Sequence, residues 1–182
     1  VMQPITGVPM IGLLLERLAR AKRVDQIVLA TTDNSRDQPL AEYAKGLGYE
    51  VFRGCESDVL DRYYQAARKF QADAVVRITG DCPLIDPLIV DAAITKFERE
   101  QVDYLNNVTP PTYPDGLDVE VFSYQALART WKEAVSKHER EHISLFMRDK
   151  AVFSKAYLIN GEDHSSERLT VDEPEDLCVV EG

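Results

Sequence analysis

Paired cysteines are missing from this sequence. Its three thiols, Cys55, Cys82 and Cys178, are widely spaced, with no C-x-x-C pair among them. That excludes a disulfide framework or a cysteine zinc site and leads to the expectation of a reduced, cytoplasmic protein. No apolar run approaches the roughly 18 residues needed to cross a bilayer. The opening residues, VMQPITGVPM, carry no basic segment followed by an apolar block, so neither a membrane span nor a signal peptide is expected. Basic charge is scarce too: Lys+Arg 21 stand against Asp+Glu 31, for a formal charge of −10. Such a balance disfavours nucleic-acid binding, because few cations are available to displace phosphate counterions. A small phosphorylated ligand remains compatible when a divalent cation mediates.

What is present is regular. The chain has 182 residues, 45% of them hydrophobic, with no repeat or linker, which suits one domain with a substantial core. MIGLLLERLARAK, QPLAEYAKGLG, SDVLDRYYQAARKFQ and DPLIVDAAITKFERE have helical spacing, with Ser57 the expected N-cap of the third. QIVLATT, YEVFRG, DAVVRI and VDYLNN alternate with them as strands. That order predicts an α/β fold with an open, largely parallel sheet flanked by helices. LDVEVFS and VFSKAYLIN, separated by the helical stretch YQALARTWKEAVSKHEREHISLFMRDK, predict a mixed extension of the sheet.

Two acidic turns stand at expected strand ends. In RITGDCPLIDP, Asp81 follows Gly80 directly after DAVVRI, and Pro83 and Pro87 stiffen the turn. Open α/β sheets bind ligands beyond the carboxyl ends of their strands. A rigidly presented carboxylate there suits Mg²⁺, which takes one or two carboxylates and completes its shell with water and phosphate. A simple turn cap explains Asp81 equally well. In RLTVDEPEDL, Asp172 precedes Pro174 and an expected helix, where an ordinary N-cap is the plainer reading.

Taken together, RITGDCPLIDP, DVLDRYYQAA, TYPDGLDVEVFS, REHIS and TVDEPEDL resemble the spore-coat polysaccharide type of cytidylyltransferase, a relative of the acylneuraminate and 3-deoxy-manno-octulosonate cytidylyltransferases. The resemblance is collinear over essentially the whole chain. It implies a Rossmann-like open mixed sheet of the nucleotide-diphospho-sugar transferase type, transfer of CMP from CTP to a sugar, an acidic one first, or to a related acceptor, and Mg²⁺ dependence. It also implies a place in cell-surface or spore-coat polysaccharide synthesis, and a homodimer. Carried onto this sequence, it makes Asp81 and Asp172 the metal-binding, catalytic pair. Arg53, Asp58, Arg62, Thr79 and Gly80 join Asp81 as nucleotide-binding candidates, and Asp118, Glu120 and His142 are acceptor-side candidates. A solvated or capping role for Arg53, Asp58 and Arg62 stays open, as does a merely solvent-facing one for Asp118 and Glu120.

The resemblance also implies a first strand followed by a basic loop of the form A-R-x-x-S-x-R-L-P-G-K, which these residues do not contain. The sequence thus reads as a single domain cut at both ends. A central strand carries many ladder bonds, so residues 1–182 alone are expected to aggregate and to miss CTP, with roughly 20 preceding residues restoring both properties. A catalytically inactive nucleotide-sugar-binding module is the alternative. A third class comes from HEREH, His138 to His142, which satisfies H-E-x-x-H. It would make His138, His142 and Glu162 zinc ligands and Glu139 a base, although VFSKAYLIN intervenes as a strand rather than a helix.

Overall fold

The structure, a computed structural model, describes residues 1–181. A hairpin of β1 (Pro4–Ile5) and β2 (Val8–Pro9) leads into α1 (Met10–Leu18). Met10, Ile11, Leu14, Leu15 and Leu18 of this helix are buried, as a one-faced 3.6-residue period requires. There follow β3 (Val28–Thr32), α2 (Gln38–Gly46), β4 (Glu50–Gly54), α3 (Val59–Lys69), β5 (Ala74–Arg77), α4 (Pro87–Glu100) and β6 (Tyr104–Asn106). The second half comprises β7 (Glu120–Ser123), α5 (Tyr124–Glu133), α6 (Lys137–Glu141), α7 (Leu145–Asp149), β8 (Lys155–Tyr157) and α8 (Pro174–Glu181).

β3 and β4 pair in parallel. The larger sheet has the order β5-β7-β6-β8, with β7 antiparallel to both neighbours and β8 parallel to β6. This is the expected α/β architecture, with a mixed second half. Successive strand residues point to opposite faces. Leu105 and Val121 accordingly enter one core with Leu14, Leu15 and Val90, while Tyr104 and Phe122 enter the other with Leu60, Leu127 and Met147. Helices therefore cover both faces. Among the described residues β3 and β5 are each laddered along one edge only, and no ladder joins the two sheets.

Two local expectations are corrected. The helical stretch 124–150 is three helices, because Ser136 and Glu139 form a reciprocal capping box that starts α6 afresh after Ala134 turns extended. The cap of α3 is Asp58, whose Oδ1 accepts from the Asp61 amide at 2.9 Å, one residue beyond Ser57.

Candidate active site

β5 delivers its last residue, Arg77, to a tight turn. The Cys82 amide donates to the Thr79 carbonyl, the Ile85 carbonyl accepts from Arg17 Nε at 2.9 Å, and Asp86 caps α4 through the Leu88 amide at 2.8 Å. Asp86 thus takes the capping role, and Asp81 is left for something else. The Asp81 carboxylate has one close neighbour, Cys82 Sγ at 3.5 Å, and no cationic partner among the described residues. Burial pushes the Cys82 thiol up to about 12, so it stays a neutral thiol beside that carboxylate. The bare face of Gly80 is covered by Val1, whose Cγ1 lies 2.9 Å from the place a Cβ would take.

The second acidic turn meets the first through the backbone. The Asp81 carbonyl accepts from the Val171 amide at 2.8 Å and from Thr170 Oγ1 at 3.2 Å. The segment before Thr170 is zipped in turn to the acceptor-side loop: Asp115 N donates to Glu167 O, and Leu169 N to Asp115 O. Gly116 makes this possible. Its φ is +102°, and a Cβ there would stand 2.4 Å from the Thr170 nitrogen. Asp172 follows immediately, exposed, with its Oδ2 accepting from Arg168 at 2.7 Å.

Beside this junction lies a cavity of about 170 Å³ lined by Arg77, Thr79, Val108, Asp118, Glu120, Ser144 and Arg148. Asp118 and Glu120 both face it, as alternate residues of one extended segment do. Their circumstances differ. Glu120 is buried and spends both oxygens inside the protein, Oε2 on Arg77 NH1 at 2.5 Å and Oε1 on the Tyr104 hydroxyl. It therefore shapes the cavity through Arg77 rather than offering a free carboxylate. Among the described residues the Asp118 carboxylate has no hydrogen-bond partner. A larger, mainly apolar cleft of about 490 Å³ is lined by Leu117 together with Leu88, Ile89, Tyr113 and His164. It holds fewer charged groups, and the smaller cavity is the better candidate for polar chemistry.

Burial, reinforced by Asp115, Glu120 and Asp81, pushes Asp118 up to about 6, against about 4 for an unfolded aspartate. A raised acid pKa means that the folded state holds the proton more tightly. The ionised carboxylate then costs stability above pH 6, and the cost fades as pH falls towards 4. Asp118→Asn should stabilise the fold by about 1 kcal/mol at pH 7.5, partial exposure trimming the full effect, and by far less at pH 4. Urea unfolding with chelator present reads this directly. An unchanged midpoint at pH 7.5 would show that Asp118 is not so strained.

Other sequence candidates are placed outside this cavity. Arg53 donates to Thr32 O at 2.9 Å and Asn34 O at 2.7 Å and also reaches Gln38, so its fork ties β4 to the loop after β3. Asp58 caps α3 and accepts from Arg140 Nε at 2.8 Å. Arg62 NH1 donates to Cys55 O at 2.8 Å, while its buried Nε has no partner among the described residues. His142 is exposed and ends α6. Sequence reasoning missed Arg77, Arg148 and Arg168. A basic residue closing an apolar strand was the available signal for Arg77; Arg168 had none, because four-residue spacing pairs side chains only on a helix and residues 168–172 are not helical.

The zinc-hydrolase reading is corrected. His138 and His142 do stand side by side at α6, with ring centroids 4.7 Å apart, but the other two groups the motif needs are missing from them. Glu139 is consumed by the Ser136 cap, and Glu162 lies 3.6 Å from His164. Among the described residues no three His, Cys, Asp or Glu side chains converge to hold a metal. A cation at Asp81 would therefore take much of its shell from water and ligand oxygens, the habit of Mg²⁺.

Residues 1–175 match the family model described as Cytidylyltransferase. The chain belongs to that family. Among solved cytidylyltransferases, one from Leptospira borgpetersenii serovar Hardjo-bovis superposes with a TM-score of 0.96 at 34% identity, covering 100% of this chain and 77% of that one. A CMP:2-keto-3-deoxy-manno-octonic acid synthetase complexed with CTP shares the fold, with a TM-score of 0.73 at 15% identity over 99% of this chain and 89% of its own. An uncharacterised protein of Methanocaldococcus jannaschii is 36% identical over 91% of the chain and 68% of its own length. The spore coat polysaccharide biosynthesis protein SpsF of Bacillus subtilis is 27% identical over 97% and 75%. The cytidylyltransferase resemblance seen in the motifs is thereby established.

Proposed function

We propose that this cytidylyltransferase chain transfers CMP from CTP to an acidic sugar, with Mg²⁺, for cell-surface or spore-coat polysaccharide synthesis. The observation that carries this reading is the Asp81 carboxylate. It stands at the end of β5, unclaimed by any cationic side chain among the described residues, beside a cavity lined by two arginines and a free carboxylate. The bound CTP of the fold relative and the polysaccharide role named for SpsF support the nucleotide and the pathway.

In this mechanism an acceptor oxygen attacks the α-phosphorus of CTP in line, and pyrophosphate leaves. Mg²⁺, when bound, supplies charge neutralisation at the phosphates. Asp81 and Asp172 would hold it, one on each of the two turns that meet at the Asp81 carbonyl. Asp118 accepts a hydrogen bond from an acceptor hydroxyl. Arg148 and Arg77 offer cationic donors to the acceptor's acid group, with Arg77 oriented by Glu120. Positioning and charge, rather than covalent help, supply the acceleration.

A pyrophosphate-release screen of the four nucleoside triphosphates against acidic and neutral sugars tests the reading. It is run on residues 1–182 and on a chain extended by roughly 20 preceding residues, about one strand and one loop. CTP-specific release with an acidic sugar is the expected result. Tight CTP binding without release from the extended chain would replace an enzyme with a binding module.

A further inference from the structure

Arg168 carries an unusual load for an exposed side chain. Its NH1 donates to Asp115 Oδ2 at 2.6 Å, Nε to Asp176 Oδ1 at 3.1 Å, and NH2 to Asp172 Oδ2 at 2.7 Å and Asp176 Oδ2 at 3.2 Å. The contacts are unequal. Asp176 is the most enclosed of the three carboxylates, with 15% of its side chain exposed, and its Oδ2 also accepts the backbone amides of Asp172 and Glu173, both at 2.9 Å. Asp172 is 52% exposed, and Arg168 is its side chain's one hydrogen-bond partner among the described residues. The backbone at Asp172 is held independently of the guanidinium, by the Asp176 bonds and by Val171 N on Asp81 O. One cation thus serves three carboxylates, and the most exposed of them is the residue nearest the Asp81 turn.

We propose that Arg168 is a resident counter-ion that yields Asp172 to the divalent cation: when the cation enters, Asp172 changes partner while Arg168 remains on Asp115 and Asp176. This rests on the reading of Asp81 and Asp172 as cation-binding residues. Without nucleotide, the cation must displace the guanidinium and gains no phosphate oxygens in return. Mg²⁺ therefore enters with the nucleotide rather than ahead of it, and the loading of the site is ordered by a competition built into the TVDEPEDL segment. Arg168 is a positioning residue in this scheme and does not touch the reacting atoms.

The test is Mn²⁺ binding to the nucleotide-free protein, followed by water-proton relaxation. Removing a positive charge beside a divalent site should tighten binding, so Arg168→Gln is expected to bind Mn²⁺ about tenfold more tightly than the parent. Arg168→Lys, which keeps a competing cation, should stay near the parent. Adding Asp172→Asn to Arg168→Gln should abolish the gain. Amide exchange at Val171 should be as slow in Arg168→Gln as in the parent. Binding that is unchanged or weakened in Arg168→Gln overturns the proposal. Fast exchange at Val171 also overturns it, by making Arg168 a structural clasp. If Asp81→Asn and Asp172→Asn weaken Mn²⁺ binding while Arg168→Gln does nothing, the handover alone fails. If neither aspartate matters, the cation site itself falls, and the handover with it.

Discussion

Asp81→Asn is expected to fold as the parent does and to lose about a thousandfold in CTP-dependent pyrophosphate release, the loss typical when a group stabilising transition-state charge is removed. The two halves of this expectation have different origins. The fold survives because the turn uses the Asp81 backbone carbonyl, not its carboxylate: Val171 N and Thr170 Oγ1 both donate to that oxygen. An amide side chain fills the same space beside Cys82. Catalysis fails because an amide is a poor ligand for a hard divalent cation and brings no charge to the site. Parent-like circular dichroism with collapsed turnover is the expected pair of results. Turnover within a few-fold of the parent, with Mg²⁺ saturating, would remove Asp81 from the chemistry.

Glu120→Ala should instead strike the fold. The carboxylate it removes is 5% exposed and joins the part-buried Arg77 to the Tyr104 hydroxyl, so truncation takes the counter-ion from the guanidinium and the carboxylate acceptor from the phenol. Breaking a buried pair from one side costs about 3–5 kcal/mol, against a total stability of about 5–15 kcal/mol. Glu120→Gln keeps an acceptor for Tyr104 and should lose roughly half as much, as expected for a neutral hydrogen bond replacing a charged one. Chemical unfolding of the two variants side by side decides this. A loss below about 1 kcal/mol in Glu120→Ala would mean that water replaces the carboxylate and that the network is not sealed.

The fold class was legible because alternating apolar periods of two different lengths are a local signal; the helices α3 and α4 follow it closely, while α1 stops at Leu18, short of the expected end at Lys22. The break at Ala134 was not legible from apolar spacing, because the helical period continues through it; the Ser136–Glu139 box that ends it is a polar signal. Asp81 could be singled out because a strand, a glycine and two prolines all mark its turn. Its contact with residues 170 and 171 could not, being a backbone hydrogen bond across about half the chain. The same holds for Glu120. Sequence pattern placed it on one face with Asp118, but only the strand register, which sets it opposite Arg77 and diagonal to Tyr104, reveals that it is already partnered. Arg53, Asp58 and Arg62 show the reverse case, in which a motif marks residues whose observed contacts are structural.

The close passage of Gly116 against Thr170 has a thermodynamic consequence. Because a backbone nitrogen would lie 2.4 Å from any Cβ at position 116, the loop carrying Asp115 and Asp118 and the segment carrying Thr170 and Asp172 are in direct backbone apposition, with no compressible side chain between them. A rigid joint of this kind passes displacement from one side to the other. A ligand that drew in the Asp172 segment would press on the Asp118 wall through this joint, and a ligand settling on Asp118 would press back on the Asp172 segment. Binding on the two sides is then linked, and linkage is symmetric: whatever factor one ligand adds to the other's affinity, it receives back.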